Sequence, residues 1–137
     1  MRTVIRASRL VLPGKTGAAQ AIVEGDKILG VSDHFDPAPG DRVIDADGMW
    51  LCPGFVDIHV HGGGGYSANS GSKEDVLEMA RAHARMGTTS ILPTTLAAPI
   101  PELVNAIDGI RRAAQAADGP SILGAHLEGP CLNPLQS

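Results

Sequence analysis

The hydrophobic pattern of this chain changes rhythm once, near residue 54. Before that point apolar residues come in short runs at Val4-Ile5, 9–12, 21–23, 27–31 and 42–44, with turn residues at Gly25-Asp26 and 37–40. This predicts a small sheet unit over residues 1–52. From residue 53 onward the pattern alternates strand, helix, strand, helix, strand, the signature of a parallel α/β arrangement over 53–137. The strands are expected at 55–61, 88–92 and 122–128. Ser72, with Asp75 three residues on, reads as the cap of a helix that carries Val76, Met79, Ala80 and His83 at helical spacing and stops at Gly87. A second helix begins near Pro101 and is expected to bury Leu103, Ile107, Ile110 and Ala114 before the Asp118-Gly119 turn.

Side chains alternate along a strand, so segment 55–61 presents Val56, Ile58 and Val60 on one face and Phe55, Asp57, His59 and His61 on the other. Two imidazoles and a carboxylate on one inward face are unfavourable unless they are paired, hydrogen-bonded or bound to a cation. A His-x-His pair also occurs on surface strands with no chemical role. Here the apolar flanks, the Pro53-Gly54 break and the glycine run 62–65 favour ligation, since glycines let the backbone approach whatever the histidines hold.

The third strand repeats the logic. Leu123, Ala125 and Leu127 share one side, and Gly124, His126 and Glu128 share the other. Glu128 falls at the strand's carboxyl end, where ligands gather in parallel α/β folds. Such a carboxylate can instead cap a backbone or pair with a lysine, but together with His59 and His61 it makes a set that accepts zinc, iron, cobalt or manganese. His83 follows helix periodicity and is expected as a helix-face residue. Arg111-Arg112 reads as a solvated face. The glycine run is no phosphate loop, because no Lys-Ser/Thr follows it and the G-x-G-x-x-G spacing fails at Ser67.

Composition narrows the classes of function. A hydrophobic fraction of 43% supports a real core, while a net charge of -4 and 3% aromatics disfavour a nucleic-acid surface. A small anionic substrate stays compatible, since a local pocket can oppose the net field. Cys52 and Cys131 form no C-x-x-C pair, no apolar run reaches membrane-spanning length, and no secretory h-region opens the chain. The expectation is a cytoplasmic protein with no membrane partner.

The stretch Val43-Ile44-Asp45-Ala46 followed by Pro53-Gly54-Phe55-Val56-Asp57-Ile58-His59-Val60-His61 resembles the opening of the amidohydrolase superfamily. Together with the glycine run, the segment His83-Ala84-Arg85-Met86-Gly87-Thr88-Thr89-Ser90-Ile91-Leu92-Pro93-Thr94 and the motif Gly124-Ala125-His126-Leu127-Glu128-Gly129-Pro130, it resembles the family of N-acetylglucosamine-6-phosphate deacetylases over essentially the whole chain. The resemblance implies a small β-sandwich unit followed by a metal-dependent (β/α)8 barrel, and hydrolysis of the acetamide of N-acetylglucosamine 6-phosphate to glucosamine 6-phosphate and acetate. It implies a divalent metal, most simply zinc, held by His59, His61 and Glu128, with Asp57 orienting a ligand imidazole from behind. Since both histidines are kept, two-metal occupancy is allowed. A homodimer is implied for the full-length parent.

A (β/α)8 barrel takes about 250 residues, and only the first three strands fit here. The family's remaining metal histidines and its proton-shuttling aspartate are expected beyond Ser137. Cys131 also stands where the family usually has an aromatic, and the tail Leu135-Gln136-Ser137 lacks a basic run. The 137-residue polypeptide by itself is therefore expected to be unstable and inactive. The competing readings are another amidohydrolase, of dihydroorotase or D-aminoacylase type, and a non-catalytic metal-binding fragment. The motif His126-Leu127-Glu128-Gly129-Pro130 argues against the former.

Overall fold

The computed structural model describes residues 1–116, 119–133 and 135, with the main chain alone at Lys15. Asp118 of the expected turn, and Gln136 and Ser137 of the tail, lie outside the described residues. The chain divides into two compact units, Met1–Pro53 and Gly54–Ser137.

The first unit is built on one long strand. β1 (Arg2–Leu12) pairs antiparallel with β2 (Lys15–Glu24) through a turn at Pro13-Gly14, and β2 pairs antiparallel with β3 (Lys27–Ser32). On its other edge β1 runs parallel to β4 (Arg42–Asp45) and to β5 (Trp50–Leu51). The two short strands read from Val4-Ile5 and 9–12 are thus one element. The β1–β2 register shifts between Ala7 and Leu10, and this irregularity breaks the alternation that a continuous strand would show. Val4, Ala7, Leu10, Ala19 and Ala21 form its buried apolar set. A second sheet layer, which a sandwich requires, is not seen among the described residues.

Arg2 and Asp41 fasten β1 to the turn before β4. Nε and Nη2 of Arg2 donate to the two carboxylate oxygens of Asp41 at 3.1 and 2.9 Å, and Asp41 also accepts from the Ala38 N–H at 2.8 Å. The hydrogen bond from Arg2 chiefly holds the Asp41 carboxyl below its ordinary pKa, and the pairing raises the Arg2 guanidinium.

The second unit has three parallel strands in the order β10-β9-β6: β6 (Phe55–Val60), β9 (Thr88–Pro93) and β10 (Ser121–Ile122). Helices α1 (Lys73–Ala84) and α2 (Ile100–Ala114) make the crossovers. Ser72 caps α1 by accepting from the Asp75 N–H. One face of α1 buries Met79 and Ala80 against Val60, Ala68 and Ile91, while Val76 and Leu77 meet Ile110 and Ala113 of α2. Met79, Ile91 and Ile110 are almost wholly buried, each contributing about 1.5–3 kcal/mol.

Two expectations are corrected. The buried face of α2 is Leu103, Ala106, Ile110 and Ala113; Ile107 is half-buried and Ala114 exposed. Gly109 sets this rotation, since a Cβ there would lie 2.7 Å from the Gly71 carbonyl, and the small residues on that side bring the helix close. The third strand is shorter than 122–128, because Gly124, at φ 152°, interrupts the ladder. Its continuation still follows β9 through Leu123 N–H to Ile91 O, His126 N–H to Pro93 O and Thr95 N–H to His126 O. Along β6 the apolar face is covered only at its end: Val60 is buried, but Val56 and Ile58 are 60% and 62% exposed.

The glycine run forms a small hairpin rather than an open loop, β7 (Gly62–Gly63) with β8 (Tyr66–Ser67). Its glycines answer a close approach: a Cβ on Gly63 would stand 2.6 Å from Nε2 of His83. No helix among the described residues is long and apolar enough to cross a membrane.

Candidate metal centre

His59 and His61 leave β6 and the residue after it on the same side, as the period of two requires, and Glu128 arrives from the segment after β10. Nε2 of His59 lies 2.9 Å and Nε2 of His61 3.4 Å from the same oxygen, Oε2 of Glu128. One ligand-capable atom from each of the three residues lies within 4.8 Å of the others. A lone pair on nitrogen facing a carboxylate oxygen at 2.9 Å is repulsive, so a proton or a cation must lie between them.

The orientation of the His61 ring suits a metal ligand. Nδ1 of His61 is 3.1 Å from the carbonyl of Thr94. A carbonyl only accepts, so Nδ1 carries a proton and Nε2, which faces Glu128, is the ring atom available to bind a cation. The donor set of two imidazole nitrogens and one carboxylate suits zinc and the neighbouring divalent metals. The site is partly open, with the side chains of His59, His61 and Glu128 exposed by 51%, 34% and 32%.

Asp57 sits differently from its expected place behind a ligand imidazole. Its Oδ1 accepts from the backbone N–H of His59 at 3.2 Å, and its Oδ2 faces Nδ1 of His83 at 4.0 Å. The imidazole of His61 is held by the Thr94 carbonyl instead. His83 is on the face of α1, as expected, and its Nε2 donates to the Gly62 carbonyl at 3.0 Å, tying the hairpin to the helix.

Two residues to which the sequence reading assigned no chemistry support the whole arrangement. Thr94 and Thr95 are fully buried polar side chains at the end of β9. The β6–β9 ladder shifts register between Asp57 and Val60, and Thr94 captures the groups released there: Oγ1 accepts from Val60 N–H at 2.9 Å and its own N–H donates to Val60 O at 2.7 Å. Thr95 Oγ1 accepts from Glu128 N–H at 3.1 Å and donates to Glu128 O at 3.2 Å. The one available signal was their position, a Thr pair at a strand's carboxyl end after a proline. Asn69 adds a link between loops, exchanging two hydrogen bonds with the main chain of Leu96.

Residues 50–136 match the Amidohydrolase family. N-acetylgalactosamine-6-phosphate deacetylase of Escherichia coli O157:H7 is 36% identical over 106 residues, covering 77% of this chain and 28% of the relative. N-acetylglucosamine-6-phosphate deacetylase of Vibrio furnissii is 34% identical over 129 residues, covering 91% and 32%. A dihydroorotase of Staphylococcus aureus is 30% identical over 112 residues, covering 80% and 25%. The solved N-acetylglucosamine-6-phosphate deacetylase of Pasteurella multocida superposes with a TM-score of 0.87 at 27% identity, covering 99% of this chain and 36% of that one. The Mycobacterium smegmatis enzyme, solved as a D267A mutant with N-acetyl-D-glucosamine-6-phosphate, gives 0.85 at 26%, covering 98% and 34%. This chain thus spans about a third of the length of these deacetylases. On the match to residues 50–136, which is well over half its length, the chain belongs to the amidohydrolase family.

Proposed function

We propose that this chain supplies part of the metal centre of a hydrolase that removes the acetyl group from an N-acetylated amino-sugar 6-phosphate, with N-acetylglucosamine 6-phosphate as the principal substrate. The observation that carries the reading is the convergence of His59, His61 and Glu128, from β6 with the residue after it and from the segment after β10, on one point. The three parallel strands with their helices are read as the start of a (β/α)8 barrel, whose carboxyl-end face would hold the site.

A bound divalent cation would supply an acidified water and a polarised amide carbonyl. The residues of this chain hold and orient. His59 and His61 would bind through Nε2, and Glu128 would offset the positive charge with its Oε2. Thr94 keeps His61 in the tautomer that binds, and Thr95 fixes the backbone that carries Glu128. Asp57 acts on the main chain of β6 and faces His83 rather than a ligand imidazole.

Both epimers are compared in the test, because the relatives include both a galactosamine and a glucosamine deacetylase at similar identity. The dihydroorotase likeness supports a cyclic amide as the second reading. The test is direct: the intact protein carrying this sequence, loaded with zinc, is assayed for acetate release from both N-acetylhexosamine 6-phosphates and for ring opening of dihydroorotate. Acetate release that disappears on Glu128→Ala supports the proposal. Ring opening without acetate release replaces it.

A further inference from the structure

Resting on the metal-centre reading above, we infer that His126 is a positioning residue, a strut that sets His59 and Glu128 at their working separation. His126 lies two residues before Glu128 in the segment that follows β10. Its main chain is fixed to β9 on both sides, through His126 N–H to Pro93 O at 2.9 Å and Thr95 N–H to His126 O at 3.0 Å. Its side chain then reaches past β9 to β6, where Nδ1 lies 3.0 Å from the carbonyl of Ile58.

That carbonyl falls where the β6–β9 ladder changes register. The same break frees the Val60 N–H that Thr94 captures, so His126 and Thr94 together supply what the ladder lacks on either side of His59. Ile58 O only accepts, so Nδ1 of His126 carries the proton. The ring meets that of His59 nearly edge-on, with centroids 4.7 Å apart and planes at 71°. His126 is outside the group of metal-capable atoms formed by His59, His61 and Glu128 among the described residues. It therefore acts through them. One imidazole ties the segment bearing Glu128 to the strand bearing His59 and braces the His59 ring.

The experiment compares His126→Asn, His126→Gln and His126→Phe in the intact protein. Asparagine places an amide N–H near the position of Nδ1; glutamine mimics Nε2 instead, and phenylalanine keeps the ring without the donor. Zinc affinity is read by chelator competition, metal geometry by the visible spectrum of the cobalt form, and folding by denaturation of the metal-free protein. H126F and H126Q are expected to lose roughly 10–100-fold in zinc affinity and to change the cobalt bands, while H126N restores most of both. The metal-free denaturation midpoint of H126Q, a polar variant chosen in case H126F does not fold, is expected to stay near wild type. Wild-type affinity and spectrum in H126F or H126Q would overturn the strut, as would equal loss in H126N and H126Q. A wild-type protein that binds no zinc would instead overturn the metal centre on which it rests.

Discussion

Thr95 holds Glu128 through both polar groups of its backbone, accepting from its N–H at 3.1 Å and donating to its carbonyl at 3.2 Å with a single hydroxyl. Glu128 is the only member of the metal-capable group that comes from the third strand segment, and that segment has little regular ladder of its own after Ile122. Its placement therefore depends on this hydroxyl. Thr95→Val is expected to weaken zinc binding by about 10–100-fold, and Thr95→Ser to keep most of it. Chelator competition on the two variants checks the prediction; equal affinity in both excludes the hydroxyl as the cause.

Thr94 serves stability more than affinity. Thr94→Val removes the acceptor for the Val60 N–H at a position where both residues are buried. An unsatisfied buried donor costs about 1–3 kcal/mol, so urea denaturation of T94V should show a loss of that size. Unchanged stability would mean that the Val60 N–H finds another partner.

A methyl group at Gly63 would land 2.6 Å from Nε2 of His83. Gly63→Ala is expected to destabilise the second unit by about 1–3 kcal/mol through overpacking. Combining it with His83→Ala should cost less than the sum of the single changes, with a coupling of about 0.5–3 kcal/mol. Strict additivity in a double-mutant cycle would place the strain elsewhere.

In the first unit, the Arg2–Asp41 pair predicts a pH dependence with a definite sign. Its Asp41 carboxyl is held below its ordinary value, so the unfolded chain binds the proton more readily. The contribution is complete above the unfolded carboxyl value of about 3.9 and disappears as pH falls through the lower folded value. Asp41→Asn should therefore lower the urea midpoint at pH 7 and converge with wild type in strong acid. Trp50, the sole tryptophan, is in β5 and reports this unit by fluorescence. A gap that widens toward acid would reverse the assignment.

The parts of this architecture legible in the sequence are those set by local period. Alternation placed His59 and His61 on one side of a strand, and the carboxyl-end rule brought Glu128 to meet them. Helix α1 was readable from its Ser72 cap and its apolar stripe. What was hidden depends on contacts distant in sequence. Thr94 and Thr95 gain their roles only from a register shift between β6 and β9, which alternation within either strand does not encode. The buried face of α2 turned toward Ala106 and Ala113 because Gly109 meets the backbone of Gly71, a contact that favours small side chains over the larger Ile107. The family resemblance implied that Asp57 orients a ligand imidazole, but it accepts from the main chain two residues on and faces His83.

The central claim, that His59, His61 and Glu128 together hold a cation, is tested most directly by equilibrium titration of zinc into the intact protein and its three single alanine variants. The account predicts specific binding in the wild type and a large loss of affinity in each of His59→Ala, His61→Ala and Glu128→Ala. Glu128→Ala binding zinc as tightly as wild type would contradict it.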